Sequence, residues 1–90
     1  MNAKILIVDD IPANLNLLRQ NLESSGYKVV AVPSGTRALQ VVERTEPDVI
    51  LLDILMPEMD GFETCRRLKA NPATAEIPVI FITAKDETES

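Results

Sequence analysis

Four short apolar runs recur along the chain, and the stretches between them carry apolar residues at spacings of three and four. Ile5-Leu6-Ile7-Val8 has the length and β-branched content of a buried strand. Residues 13–24 follow with Leu15, Leu18 and Leu22 on one helical stripe. Pro12 suits a first helical position, and Gly26 sits where a C-cap belongs. Lys28-Val29-Val30-Ala31-Val32 predicts a second strand. Ser34 is placed to cap a second helix with Ala38, Leu39 and Val42 facing inward, and Pro47 stops it. Asp48-Val49-Ile50-Leu51-Leu52-Asp53 predicts a third strand, apolar between its two acids and so suited to being covered on both faces. Asp60 opens a third helix, where Glu63 makes a capping box and Phe62, Cys65 and Leu68 face inward, until Asn71-Pro72 ends it. Pro78-Val79-Ile80-Phe81-Ile82 predicts a fourth strand.

The order βαβαβαβ predicts an α/β fold: a parallel sheet with right-handed crossovers and helices on its faces. At 90 residues and 46% apolar, the chain is one domain with a small core. No apolar run approaches the length of a membrane span, and the first residues are too acidic for a secretory signal, so a cytoplasmic location with no membrane contact is expected. Fourteen acids against nine bases give a net charge of −5, which argues against direct nucleic-acid binding. One cysteine, Cys65, excludes an internal disulfide, and its inward helical position makes it a small core residue. The lack of any histidine removes Ser-His-Asp and Cys-His catalysis. Three glycines cannot build a nucleotide-cradling loop.

What remains is carboxylate chemistry. In an open parallel sheet, ligands gather at the carboxyl ends of the strands. The first strand ends in Asp9-Asp10, the third in Asp53 and the fourth in Thr83. A single strand-end aspartate is most often a turn or capping residue. Three of them with a hydroxyl, converging if the first, third and fourth strands are neighbours, are hard to produce by chance. Unit charges about 4 Å apart repel by roughly 4 kcal/mol at an effective dielectric near 20, so the group must hold protons or a cation. Hard oxygens without imidazole or thiolate select magnesium, calcium or manganese, and magnesium fits a small site that leaves room for a phosphoryl group. Asp60 is accounted for by capping, and Asp48, at the opposite edge, is structural.

The segments Ile5-Leu6-Ile7-Val8-Asp9-Asp10, Pro47 through Glu63 and Ile77 through Ala84 resemble the receiver domain of two-component response regulators, in order and spacing. The resemblance implies a flavodoxin-like, doubly wound parallel sheet, here of order 2-1-3-4. It implies Asp53 as phosphoacceptor and Thr83 as the hydroxyl that turns toward the phosphoryl group. Asp10 and Asp53 would ligate Mg2+ with the backbone carbonyl of Leu55, and Asp9 would help through water. Pro57 and Gly61 would shape the loop after the acceptor. The partner implied is a histidine kinase or phosphotransfer protein, with a possible C-terminal output domain in the parent. The domain would catalyse its own phosphorylation and dephosphorylation without being a stand-alone enzyme. The alternative is a receiver-like interaction module that is not phosphorylated. The runs around Asp9–Asn14, Cys65–Lys69 and Ile77–Val79 are similar to receivers attached to diguanylate cyclases and hybrid kinases.

A complete receiver has about 120 residues. Residues 1–90 are therefore expected to be a receiver domain incomplete at its C-terminus, without the family's fifth strand, last helices and the lysine that follows that strand. The fourth strand then forms a sheet edge, and self-association is expected.

Overall fold

The computed structural model describes residues 2–82. Its elements alternate as the apolar pattern predicts: β1 (Lys4–Val8), α1 (Pro12–Ser24), β2 (Lys28–Val32), α2 (Gly35–Thr45), β3 (Val49–Asp53), α3 (Gly61–Ala70) and β4 (Val79–Ile82). Most predicted boundaries fall within one residue of these. The strands form one parallel sheet of order β2-β1-β3-β4. This is the flavodoxin-like order, and it places the ends of β1 and β3 side by side.

The helix ends follow their local chemistry. Pro12 starts α1, and Gly26 at φ +97° closes it, with the Gly26 N–H donating to the Glu23 carbonyl and that of Tyr27 to the Leu22 carbonyl. Ser34 caps α2 by accepting from the Arg37 N–H at 3.1 Å. Asp60 caps α3 by accepting from the Glu63 N–H at 2.9 Å. The expected capping box is only half made: the Glu63 carboxylate turns instead to Arg66 and Arg67, at 2.6 and 2.8 Å. Asp48 accepts from the Lys4 N–H at 2.8 Å, the structural role expected of it.

The core lies between the sheet and α2 with α3. It joins Leu6, Val8, Val32, Ile50 and Leu52 to Ala38, Val41, Val42 and Leu68, with Met56 from the β3–α3 loop. Two expectations change. On α3 the enclosed residues are Gly61, Thr64 and Leu68, Cys65 is half-buried, and Phe62 is 58% exposed rather than inward. Gly61 faces the β3 backbone, which at about 100° per residue turns Phe62 off the inner face, where its ring rests 5.2 Å from that of Phe81. On β3 only Ile50 and Leu52 are fully enclosed among the apolar residues, while Val49 and Leu51 on the other face are half-buried. Among the described residues only α1 covers that second face, and α1 lies over β1 and β2.

Candidate functional site

β1 and β3 pair in register from Ile5 with Val49 to Val8 with Leu52, so Asp9 and Asp53 emerge at the same level. Asp10 follows one residue later. The three side chains meet, and one carboxylate oxygen from each lies within 4.8 Å of the others. Asp9 is 1% exposed and Asp53 4% exposed, an unusual depth for carboxylates. The Asp9 Oδ1 accepts from the Ile11 N–H at 2.9 Å, which folds the β1–α1 turn over the site.

Burial, then the charges of Asp9 and Asp10, push the Asp53 carboxyl from 3.8 up to about 6, against the opposing pull of the backbone N–H groups of Leu55 and Ile54. The sequence points to Leu55 for its carbonyl alone and to neither of these N–H groups, because a backbone donor leaves no residue-type signal. Asp10 Oδ1 is buried with no hydrogen-bond partner among the described residues. An orphaned carboxylate oxygen beside two more carboxylates fits a hard divalent cation. Octahedral Mg2+ binds oxygens at about 2.1 Å, so its ligands span up to about 4.2 Å, a scale close to the present spread when part of the shell is water.

The β3–α3 loop wraps the end of β3. Met56 is buried beneath it, Pro57 is exposed, and Glu58 takes a left-handed φ of 67° at the turn. The Gly61 N–H donates to the Ile54 carbonyl at 2.8 Å, and a Cβ on Gly61 would collide with the Asp53 carbonyl oxygen. The expected loop-shaping role of Gly61 thus has a direct steric basis. The Leu55 side chain is 66% exposed at the rim. Asp9, Asp10 and Asp53 are brought together as the strand ends predict. Thr83, the fourth member of the predicted set, lies outside the described residues.

The chain matches the family model described as the response regulator receiver domain over residues 5–90. It is 51% identical over 86 residues to the response regulator PleD of Caulobacter vibrioides, covering 96% of this chain and 19% of that protein. Among solved structures it is similar to the N-terminal domain of a response regulator receiver protein from Methanoculleus marisnigri JR1, with 44% identity and a TM-score of 0.89, covering 96% of this chain and 70% of that one. It is also similar to the receiver domain of a sensor histidine kinase from Pseudomonas aeruginosa PAO1 that holds a magnesium ion coordinated in its active site cleft. That match has 34% identity and a TM-score of 0.86, covering 93% of this chain and 69% of that one.

Proposed function

Because the chain belongs to the response regulator receiver domain family, we propose that Asp53 accepts a phosphoryl group from the phosphohistidine of a histidine kinase or phosphotransfer protein. The Asp53 carboxylate attacks phosphorus, a P–O bond forms as the P–N bond breaks, and the imidazole leaves with the electron pair. Hydrolysis of the aspartyl phosphate later restores the carboxylate. The domain is thus a switch that catalyses its own two reactions rather than a stand-alone enzyme.

The observation that carries this reading is the convergence of three largely enclosed carboxylates with an orphaned Asp10 oxygen among them. Asp10, Asp53 and the Leu55 carbonyl would hold Mg2+, with Asp9 acting through water and, by its bond to the Ile11 N–H, shaping the turn. Bound there, the metal supplies charge neutralisation for the transferring phosphoryl oxygens. The backbone N–H groups of Ile54 and Leu55 favour the ionised, nucleophilic form of Asp53. Thr83 supplies the hydroxyl that meets the phosphoryl group. Among the described residues no helix is long and apolar enough to cross a membrane. An output domain beyond the receiver completes the signal in the parent protein.

The test is phosphorylation of the parent protein with acetyl phosphate or a histidine kinase in Mg2+. The expected result is one label, on Asp53, absent in Asp53→Asn. Asp10→Ala should abolish Mg2+ uptake in a calorimetric titration. Label persisting in Asp53→Asn would refute the acceptor assignment, and unchanged Mg2+ affinity in Asp10→Ala would refute the metal ligand.

A further inference from the structure

Thr64 is a polar residue with no exposed surface, one turn into α3. Its Oγ1 donates to the Asp60 carbonyl at 2.8 Å, so its burial leaves no unmet hydrogen bond. Its depth depends on α2. Gly35, the first residue of α2, is buried against it, and a Cβ on Gly35 would collide with Thr64 Oγ1 and come within 3.3 Å of the Thr64 Cβ and 3.4 Å of the Met59 sulfur. Gly35 does not adopt a left-handed φ, so space rather than backbone conformation requires glycine there. Thr64 cannot step aside freely, because turning its side chain breaks the bond to Asp60.

Three residues before Thr64, the start of α3 makes a second close approach. Gly61 lies against the backbone of Asp53 and Ile54, where a Cβ would come within 2.8 Å of the Ile54 Cα. Its N–H closes the loop onto the Ile54 carbonyl at 2.8 Å. Both contacts involve the first turn of one helix. That turn is wedged between the start of α2 on one side and the end of β3 on the other, with no side chain at either glycine to act as a cushion.

We propose that Gly35 is a positioning residue for Asp53: by admitting Thr64 it seats α3 so that Gly61 closes on the β3 end and fixes the acceptor backbone. The atoms that a Cβ on Gly35 would meet first belong to Thr64 and Met59 rather than to the carboxylates, so Gly35 acts through α3 and the loop before it. Naming Asp53 as acceptor rests on the function proposed above, but the seating of α3 does not.

The experiment is Gly35→Ala in the parent protein, read by amide hydrogen exchange and by Mg2+ titration. Exchange at the Gly61 amide should rise at least tenfold relative to the amides of Leu6 and Val8, and Mg2+ affinity should fall about fivefold. Gly35→Ala/Thr64→Ala, which clears the collision, should return both readouts to within about twofold of Thr64→Ala alone. If Gly35→Ala does not fold by itself, the double variant is the decisive one: folding with protected Gly61 supports the proposal, and failure to fold overturns it. A lowered melting temperature with Gly61 exchange unchanged relative to Leu6 and Val8 would show that Gly35 only packs, and would also overturn it. Lack of Mg2+ uptake by the unmodified protein would count against the proposed function while leaving the Gly61 result to stand.

Discussion

On the α2 and α3 side of the sheet, Leu6, Val8, Ile50 and Leu52 are fully enclosed. On the α1 side Ile5 and Ile7 are covered, Val49 and Leu51 are half-buried, and Ile80 is 53% exposed. The same strands supply both sets, because successive side chains alternate between faces. The difference comes from the cover. Among the described residues, α2 packs on α3 and on the sheet and Leu68 of α3 joins the same core, whereas α1, which has no fully buried residue of its own, lies over β1 and β2. The contribution of an aliphatic residue in β3 is therefore set by its parity in the strand more than by its type.

The sharpest test compares neighbours of the same chemistry. Leu52→Ala should cost about 3–4 kcal/mol, the range for truncating a leucine in a closed core. Leu51→Ala should cost about 1 kcal/mol, since water already reaches it. Denaturant titration of the two variants measures both. Equal losses would break the comparison and imply that something further seals the α1 side.

Asp53 has the parity of Leu51, yet it is the better buried of the two. β3 thus encloses a carboxylate and leaves a leucine half open, the reverse of ordinary preference. Its carboxyl is raised from 3.8 to about 6, so the folded state binds more protons than the unfolded state between those values. Stability from this group is fully present below about pH 4, falls as pH rises through 6, and stays reduced above. At about 1.4 kcal/mol per pH unit, lessened by solvent screening, Asp53→Asn should stabilise the metal-free protein at pH 7 by on the order of 2 kcal/mol. The gain should vanish near pH 4. A gain of the same size at both pH values would mean that charge burial is not its source.

The α1 side also predicts association. β4 is the sheet edge among the described residues, with Ile80 open on one face and Phe81 39% exposed on the other. An exposed apolar edge strand is a template for pairing. The 90-residue polypeptide should self-associate in sedimentation velocity, and Ile80→Glu should weaken that association at least tenfold, about 1.4 kcal/mol. A compact monomer with a single cooperative melt would show that the β4 edge does not act as a pairing template.

The sequence discloses the strands because each is an apolar run bounded by a proline, a cap or an acid, and the helix starts because Pro12, Ser34 and Asp60 mark them. It also discloses the acid cluster, since strand ends and strand order together bring Asp9, Asp10 and Asp53 to one place. Phase within a short helix is less legible. Phe62 is apolar and looks inward by type, but Gly61 claims the inner position. Burial of Thr64 is invisible to a hydrophobicity pattern, because it needs a cavity in α2 and a carbonyl to satisfy the hydroxyl. The one available signal is a glycine directly after the Ser34 cap, where α2 had no conformational need of one.

The smallest expected effect lies at the rim where the two faces meet. Leu55 is two residues past Asp53 and 66% exposed, and its backbone N–H is turned toward the Asp53 carboxylate. Its side chain therefore stands close to where water must approach an aspartyl phosphate. An aliphatic group cannot hydrogen-bond or orient that water, whereas a carboxamide carries both a donor and an acceptor. The aspartyl phosphate of the parent protein should then persist for minutes or longer, and Leu55→Asn should shorten its lifetime about threefold, well under 1 kcal/mol of barrier per the tenfold-per-1.36 scale. Core stability should not change, since the residue packs on neither face. Decay of the label after removal of the phosphodonor gives the rate. An unchanged rate would mean that water reaches Asp53 by another route, from the side of the β1–α1 turn where the Ile11 N–H is bonded to Asp9.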